Sequence, residues 1–216
     1  MRYYNIMILR NFAVFEGIDG TGTTTQLNRL KQQYASIPGG SEQVLFTCEP
    51  TAGEIGRLIR RALRGELAYT PDTMARLFAA DRGEHLDGAD GIRAQLASGK
   101  AVFSDRYLFS SLAYQGEAGD PGLPLLLNSA FPLPEYLFFF DIDPDTAMDR
   151  VESRSDTLEI YEKRDFQAKV RARYLDLIAA FEKSDPEMHV IRIDATETVD
   201  AIAAKIWSIA RNLPKI

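Results

Sequence analysis

The chain has 216 residues, 45% of them hydrophobic and 26% charged, with a formal net charge of −6. That length suits one large domain around a single core, residues 1–216, better than two. The acidic balance argues against a duplex nucleic-acid binder; the lone cysteine, Cys48, excludes an intrachain disulfide and is compatible with a reducing, cytoplasmic compartment.

The N-terminal stretch "MRYYNIMILRNFAVFEG" is apolar in patches, but Arg10 and Asn11 interrupt it well short of a membrane span. It also lacks a small-residue cleavage site, so neither a membrane partner nor a secretory signal is expected. "NFAVFEG" is a short apolar run ending in a glycine loop and predicts a buried strand over about 12–16. A helix follows over 23–35, with Leu27, Leu30 and Tyr34 on one face. "QVLFTCEP" reads as a second strand, and Ile55, Leu58, Ile59, Ala62 and Leu63 mark an amphipathic helix after it. Thr70-Pro71 has the form of an N-cap followed by proline at the first helical position, opening a helix that runs to about 87. "KAVFSDRY" is a third strand, and "YLFFFDIDP" a fourth, apolar enough to be buried on both faces. Residues 144–154 and 165–183 read as helices, with Asp143 as the N-cap of the first and a polar lid over about 154–164 between them. "HVIRIDA" is the fifth strand, and Val199, Ile202, Ile206 and Ile209 mark the last helix.

Strands alternating with helices predict a three-layer α/β fold, a parallel sheet with helices on both faces. In such sheets ligands bind beyond the carboxyl ends of the strands. The polar residues there are Asp19, Glu49, Asp105 with Arg106, and Asp143.

"GIDGTGTTTQ" joins the first strand to the first helix and fits the pattern G-x-x-x-x-G-K-[ST] at Gly17, Gly22 and Thr24, with Thr23 in the lysine position. A glycine-rich turn of this kind presents backbone N–H groups and a helix N-terminus to an anion, and neither needs the lysine. Thr24 stands where a hydroxyl would ligand Mg2+. The alternative is a tight strand–helix turn in which Thr23 or Thr24 is simply the N-cap. The loop by itself leaves both open.

The stretches "FAVFEGIDGTGTTTQL", "LFAADRGEH", "SDRYLFSSLAYQG", "FFFDIDPDTAMDR", "VRARYLDL" and "IDAT" occur in order, and from Phe12 to Leu213 the chain closely resembles the thymidylate kinases. The resemblance implies the P-loop kinase sheet of five parallel strands with a short lid. It implies transfer of a phosphoryl group from ATP to dTMP with Mg2+, in a cytoplasmic homodimer. By this resemblance the ATP phosphates lie on Gly17, Gly20, Thr21, Gly22, Thr23, Thr24 and Thr25. Thr24 and Asp105 hold the metal. Asp19, Asp105, Arg106 and Arg154 are catalytic, with Arg154 packing on adenine. The acceptor dTMP meets Phe78, which stacks on the base, and Arg82, which donates to it. Asp19, Arg106, Ser111, Tyr114 and Gln115 complete that pocket, and Arg154, Lys163 and Arg164 belong to the lid.

Three cations expected of such a site are absent: Thr23 replaces the loop lysine, Cys48 the arginine of "T-R-E-P", and Ile160 a lid arginine. Losing one preorganised donor can cost roughly 10²–10³ in rate. Arg57, Arg60, Arg61 and Arg64 on the second helix could compensate, as could the lid cations, with Arg154 or Arg164 favoured. Retention of Phe78, Arg82 and Tyr114 argues for a divergent working site. The rival readings are a kinase for another nucleotide and a catalytically silent nucleotide-binding or regulatory protein.

Overall fold

The computed structural model describes residues 7–153, 159–184 and 187–215. Five strands, β1 (Ile8–Gly17), β2 (Val44–Cys48), β3 (Ala101–Asp105), β4 (Leu133–Asp141) and β5 (His189–Asp194), form one parallel sheet in the order β2-β3-β1-β4-β5. β1 is central, paired with β3 through Phe12–Phe15 and with β4 through Ala13–Gly17. Helices cover both faces, so the middle strands bury both sets of side chains and read as continuous apolar runs. Phe12, Ala13, Val14 and Phe15 are wholly inaccessible, and Phe138, Phe139 and Phe140 nearly so. Phe15 is the hub of this layer, with ring centroids 4.8 Å from Phe138 and 5.8 Å from Phe140.

β1 is longer than its apolar run predicts. Its register against β4 shifts between Leu9 and Ala13, and Asn11 there takes a left-handed conformation, φ 61°. The Asn11 N–H donates to Oε2 of buried Glu135 at 2.7 Å. The polar pair Arg10-Asn11 therefore marks a bulge inside a strand, where the sequence suggests a strand end.

The first helices are α1 (Thr23–Ala35), α2 (Glu54–Leu63) and α3 (Pro71–Asp87). Thr70 caps α3 as its sequence predicts, its hydroxyl accepting from the Thr73 N–H at 3.2 Å. Asp143 caps the helix Pro144–Glu152 by accepting from the Asp145 and Thr146 N–H groups. The long helix Arg164–Ser184 buries Val170, Tyr174 and Ile178. Three shorter helical pieces carry no clear periodic signal: Ile92–Ala97, Gly122–Asn128, and a run over 108–118 whose middle, Ser111–Gln115, is π-helical. Such π segments are rare and cluster at functional sites; this one brings Tyr114 and Gln115 to the cavity described below, with Ser110 just before it.

Phe15→Ala should remove about 3–5 kcal/mol of stability through lost burial and the cavity it leaves. Urea denaturation checks this as a lowered midpoint at unchanged slope.

Candidate active site

The loop after β1 closes on glycines that the backbone requires. Gly20 has φ 85°, and a Cβ there would collide with the Ala147 carbonyl. Gly22 has φ 92° and is itself the N-cap of α1, with no side-chain capping bond. The reading of Thr23 or Thr24 as N-cap is thus corrected: their hydroxyls are not spent on the helix end. The Thr24 hydroxyl instead donates to Oδ2 of Asp105, at 2.6 Å. The first turn of α1 keeps its outward N–H groups, the arrangement that favours an anion.

β3 ends beside this loop. Arg106 follows it in a left-handed conformation, φ 68°, and its N–H donates to the Phe15 carbonyl at 2.9 Å. Its guanidinium turns back over β1, donating to the Gly17 carbonyl (3.1 Å), to Oγ of Ser110 (3.2 Å) and to Oδ1 of Asp19 (2.5 Å). It also lies over the Tyr114 ring, 5.1 Å from the centroid. Asp19 is held from a second side by the Tyr114 hydroxyl (3.1 Å) and by Nε2 of Gln167 (2.7 Å). Burial pushes the Tyr114 phenol well above its ordinary range, so it stays a donor.

Two residues of this network have no motif to announce them. Gln167, fully buried, bridges Asp19 and the Tyr161 carbonyl (2.9 Å), tying the loop after β1 to the segment that precedes the long helix. Glu16, also fully buried, lies behind Arg106. Its Oε1 accepts from the N–H groups of Tyr107 (2.8 Å) and Ser110 (3.2 Å), and its Oε2 from the hydroxyls of Ser110 (2.6 Å) and Tyr174 (2.8 Å). Burial raises its pKa to about 7, against the lowering effects of the Ser110 hydroxyl and the Arg106 charge. In sequence Glu16 is one more polar residue at a strand end; only the fold shows the donors converging on it.

A cavity of about 380 Å³ opens in front of these groups, walled by Phe78, Tyr114, Gln115 and Tyr161 and reaching Asp105 and Arg106. Phe78, Tyr114 and Gln115, three of the residues expected at the acceptor, all line it. Ser111 and Arg82 do not line it. Ser111 is buried behind it, and Ser110 takes its place at the wall. Arg82 is 1% exposed. Its guanidinium donates to the Asn128 side chain, to the Tyr107 carbonyl (3.1 Å) and to Oγ of Ser111 (3.0 Å), and it pairs with Glu49 at 2.7 Å. Its Nε is buried without a partner. His85, one turn along α3, holds the other oxygen of Glu49 at 3.0 Å.

Two of the three expected lid cations, Lys163 and Arg164, lie among the described residues. Arg164 opens the long helix and is engaged by Asp145, Asp149 (2.7 Å) and Glu152 (2.8 Å), because those acids lie along the facing helix Pro144–Glu152. Neither Arg164 nor Lys163 lines the cavity. Arg154 falls outside the described residues. What the 159–162 segment does bring to the cavity is Glu159, Tyr161 and Glu162. Glu159 has its pKa raised by burial and by the neighbouring carboxylates of Glu162 and Asp19.

A second cavity of about 190 Å³ runs over the loop itself, lined by Gly20, Gly22, Thr23, Thr24 and Thr25 with Asp105 and Arg106. A third, about 380 Å³, continues from the loop between Arg150, Ala195, Val199 and Ile202. Arg150 is fixed there by donating to the Ala195 carbonyl at 3.1 Å.

The donor set at Thr24 and Asp105 fits a hard divalent cation. Oδ1 of Asp105 is buried with no hydrogen-bond partner, beside an oxygen already joined to the Thr24 hydroxyl. Among the described residues no three His, Cys, Asp or Glu side chains are grouped to form an all-protein cage. Mg2+ does not need one, since it usually takes one or two protein oxygens and completes its shell with phosphates and water.

Comparison with known proteins points to one family. The thymidylate kinase family model matches residues 15–206. A relative from Treponema pallidum (strain Nichols), with thymidylate kinase in its name, is 45% identical over 92% of this chain and 94% of its own length. Thymidylate kinase from Bifidobacterium longum (strain DJO10A) is 36% identical over 94% of this chain and 98% of its own. The crystal structure of thymidylate kinase from Ehrlichia chaffeensis superposes with a TM-score of 0.68 at 26% identity, covering 93% of this chain and 97% of that one. The chain belongs to the thymidylate kinase family.

Glu16 gives a pH test. Its pKa is raised on folding, so the stability linked to it is complete below about pH 4.5 and is lost as pH rises through about 7. Glu16→Gln cannot titrate. Measured from pH 4.5 to 8, the difference in unfolding free energy should move in favour of the variant by an amount on the order of 3 kcal/mol. A difference flat in pH contradicts this.

Proposed function

We propose that this member of the thymidylate kinase family transfers the terminal phosphoryl group of ATP to dTMP, giving ADP and dTDP, through a phosphate site whose positive charge comes from outside the glycine loop. The observation that carries this is the convergence of Thr24, Asp105, Arg106 and Asp19 at the mouth of the Phe78–Tyr114 cavity, in front of a helix end capped by Gly22 alone.

In this reading the donor phosphates rest on the backbone N–H groups of residues 20–24 and on the first turn of α1, where aligned peptide dipoles favour anions. The donor base extends into the cavity beside Arg150, between Val199 and Ile202. On this reading Arg150 packs beside the adenine; Arg154, expected there from the sequence, lies outside the described residues. The acceptor base packs against Phe78. Arg82 lies beneath it, locked by Glu49 and Asn128, with Nε left to donate. Asp19, oriented by Tyr114 and Gln167, faces the sugar. Arg106 meets the phosphoryl group in flight, because its planar fork can hold two oxygens at once. Thr24 and Asp105 would hold Mg2+, which when bound offsets charge on the phosphate oxygens. The chemistry is mostly positioning plus charge stabilisation, so no protein nucleophile is required.

The chain works as one domain in this reading: the main core takes residues from Phe12 to Leu213. A homodimer and a cytoplasmic location belong to the same proposal. No helix among the described residues is long and apolar enough to cross a membrane. A second reading, nucleotide binding without turnover, is favoured only by Thr23 in the lysine position.

ADP release with ATP and Mg2+ separates the two. The expected result is turnover with dTMP well above that with dUMP, dGMP or no acceptor, and a kcat/KM for Arg106→Ala reduced by about 10²–10³. Tight dTMP binding with no ADP release supports the second reading.

A further inference from the structure

The helix α3 holds the end of β2 with one of its faces. Phe78, Arg82 and His85 stand at i, i+4 and i+7 and so share that face. Beside them, Asp81 accepts from both the N–H and the hydroxyl of Thr51, at 2.8 and 2.6 Å. Glu49, two residues earlier, is tied to β3 through its backbone, its N–H donating to the Asp105 carbonyl at 2.9 Å.

The carboxylate of Glu49 is held less evenly than its surroundings. Its Oε2 lies 2.7 Å from Nη2 of Arg82. That nitrogen already donates to the Tyr107 carbonyl (3.1 Å) and to Oγ of Ser111 (3.0 Å), so it has no hydrogen left for Glu49. Charge, and not an aligned hydrogen bond, joins the pair, and Oε2 has no hydrogen-bond donor. Among the described residues, the one hydrogen bond to this carboxylate comes from His85, Nδ1 to Oε1 at 3.0 Å. The other ring nitrogen, Nε2, meets the Thr47 hydroxyl at 2.7 Å. A carboxylate only accepts, so Nδ1 carries the proton, and in the neutral ring Nε2 accepts from Thr47. Thr47, His85, Glu49 and Arg82 thus form one chain that crosses from β2 to α3 twice.

We propose that His85 is a positioning residue for the acceptor: by holding Oε1 of Glu49, it keeps that carboxylate turned on Arg82 and away from the nucleotide. This rests on the reading that the cavity takes dTMP with its base beside Arg82. Glu49 lines the same cavity. A carboxylate swung into it would face an anionic ligand, and Arg82 would lose the buried charge that sets its guanidinium. Nε of Arg82, buried with no partner, is left to donate to a base carbonyl. Thymine carries a carbonyl where cytosine carries an amino group, so the placing of Arg82 governs that choice. His85 acts on it through Glu49, without touching the base.

The test measures KM and kcat for dTMP, and the inhibition constant of dCMP against dTMP, in the parent, His85→Asn and His85→Gln. The two amides differ by one methylene: that of Asn falls near Nδ1, where it can donate to Glu49, and that of Gln falls near Nε2. Melting temperatures of both variants check that they fold. His85→Gln should raise KM for dTMP about tenfold, the scale of a lost hydrogen bond to a charged group, with kcat little changed. Its dCMP inhibition constant should stay near that of the parent, so the preference for dTMP narrows by the same factor. His85→Asn should keep most of the parent's KM and preference. Equal effects of the two variants, equal weakening of dTMP and dCMP, or a fall in kcat at unchanged KM overturns the proposal while leaving the kinase reading intact. A parent that does not turn over dTMP overturns the acceptor reading and this proposal with it.

Discussion

The site is organised by the fold of Arg106 back onto β1. Its backbone N–H bonds the Phe15 carbonyl, and its side chain bonds the Gly17 carbonyl, Ser110 and Asp19. One residue thereby fixes the end of β3, the start of the glycine loop and the acid of that loop in a single geometry. The conformation is uncommon for a side chain larger than glycine, φ 68°, and is maintained by what surrounds it. Glu16 supplies much of that support from behind, accepting from the two N–H groups and the hydroxyl that follow Arg106 in the chain. Gln167 does the same for Asp19 from the long helix. Neither touches the cavity floor where the chemistry is proposed, yet both decide where its charged groups stand.

The second theme is economy of charge. A chain of net charge −6 that binds two phosphorylated nucleotides must concentrate its few free cations. Most of its arginines are committed: Arg82 to Glu49, Arg164 to three acids, Arg171 to Asp141. Backbone amides fill part of the gap, because a helix N-terminus costs no side chain and carries partial positive charge. The loop lysine is a strong device for holding phosphates, but it is one contributor among several in a site that works by preorganised electrostatics. What remains around Thr23 is a helix end capped by Gly22 alone, a hydroxyl and carboxylate suited to a divalent cation, and two arginines at the cavity wall.

Much of this was legible in the residues, and the exceptions have physical reasons. Elements with strong periodicity or clear caps, such as α1 and α3, fall where their patterns place them, because local preference and tertiary environment agree there. β1 was cut short by Arg10-Asn11, since a bulge and a strand end look alike in one dimension. The helical run after Arg106 has no readable face, because it is buried nearly all round and passes through a π segment. At the site, residues inside contiguous motifs were findable: Thr24 beside Asp105, and Phe78 and Tyr114 on one cavity. Charge pairing was not. Whether Arg164 is free depends on which acids the fold brings near, and Asp149 is 15 residues from Arg164 in sequence but 2.7 Å away in space. That Ser110 lines the cavity while Ser111 is buried is a one-residue difference that only the backbone path reveals.

The central claim is that the site's charge has been relocated and not lost. The most direct test is kcat/KM for dTMP in Thr23→Lys, which restores the loop lysine, against the parent under saturating ATP and Mg2+. The account predicts a change within about tenfold in either direction, since the phosphates are already held by other groups. A gain on the order of 10³ would contradict it, because that is the scale of an essential cation being put back.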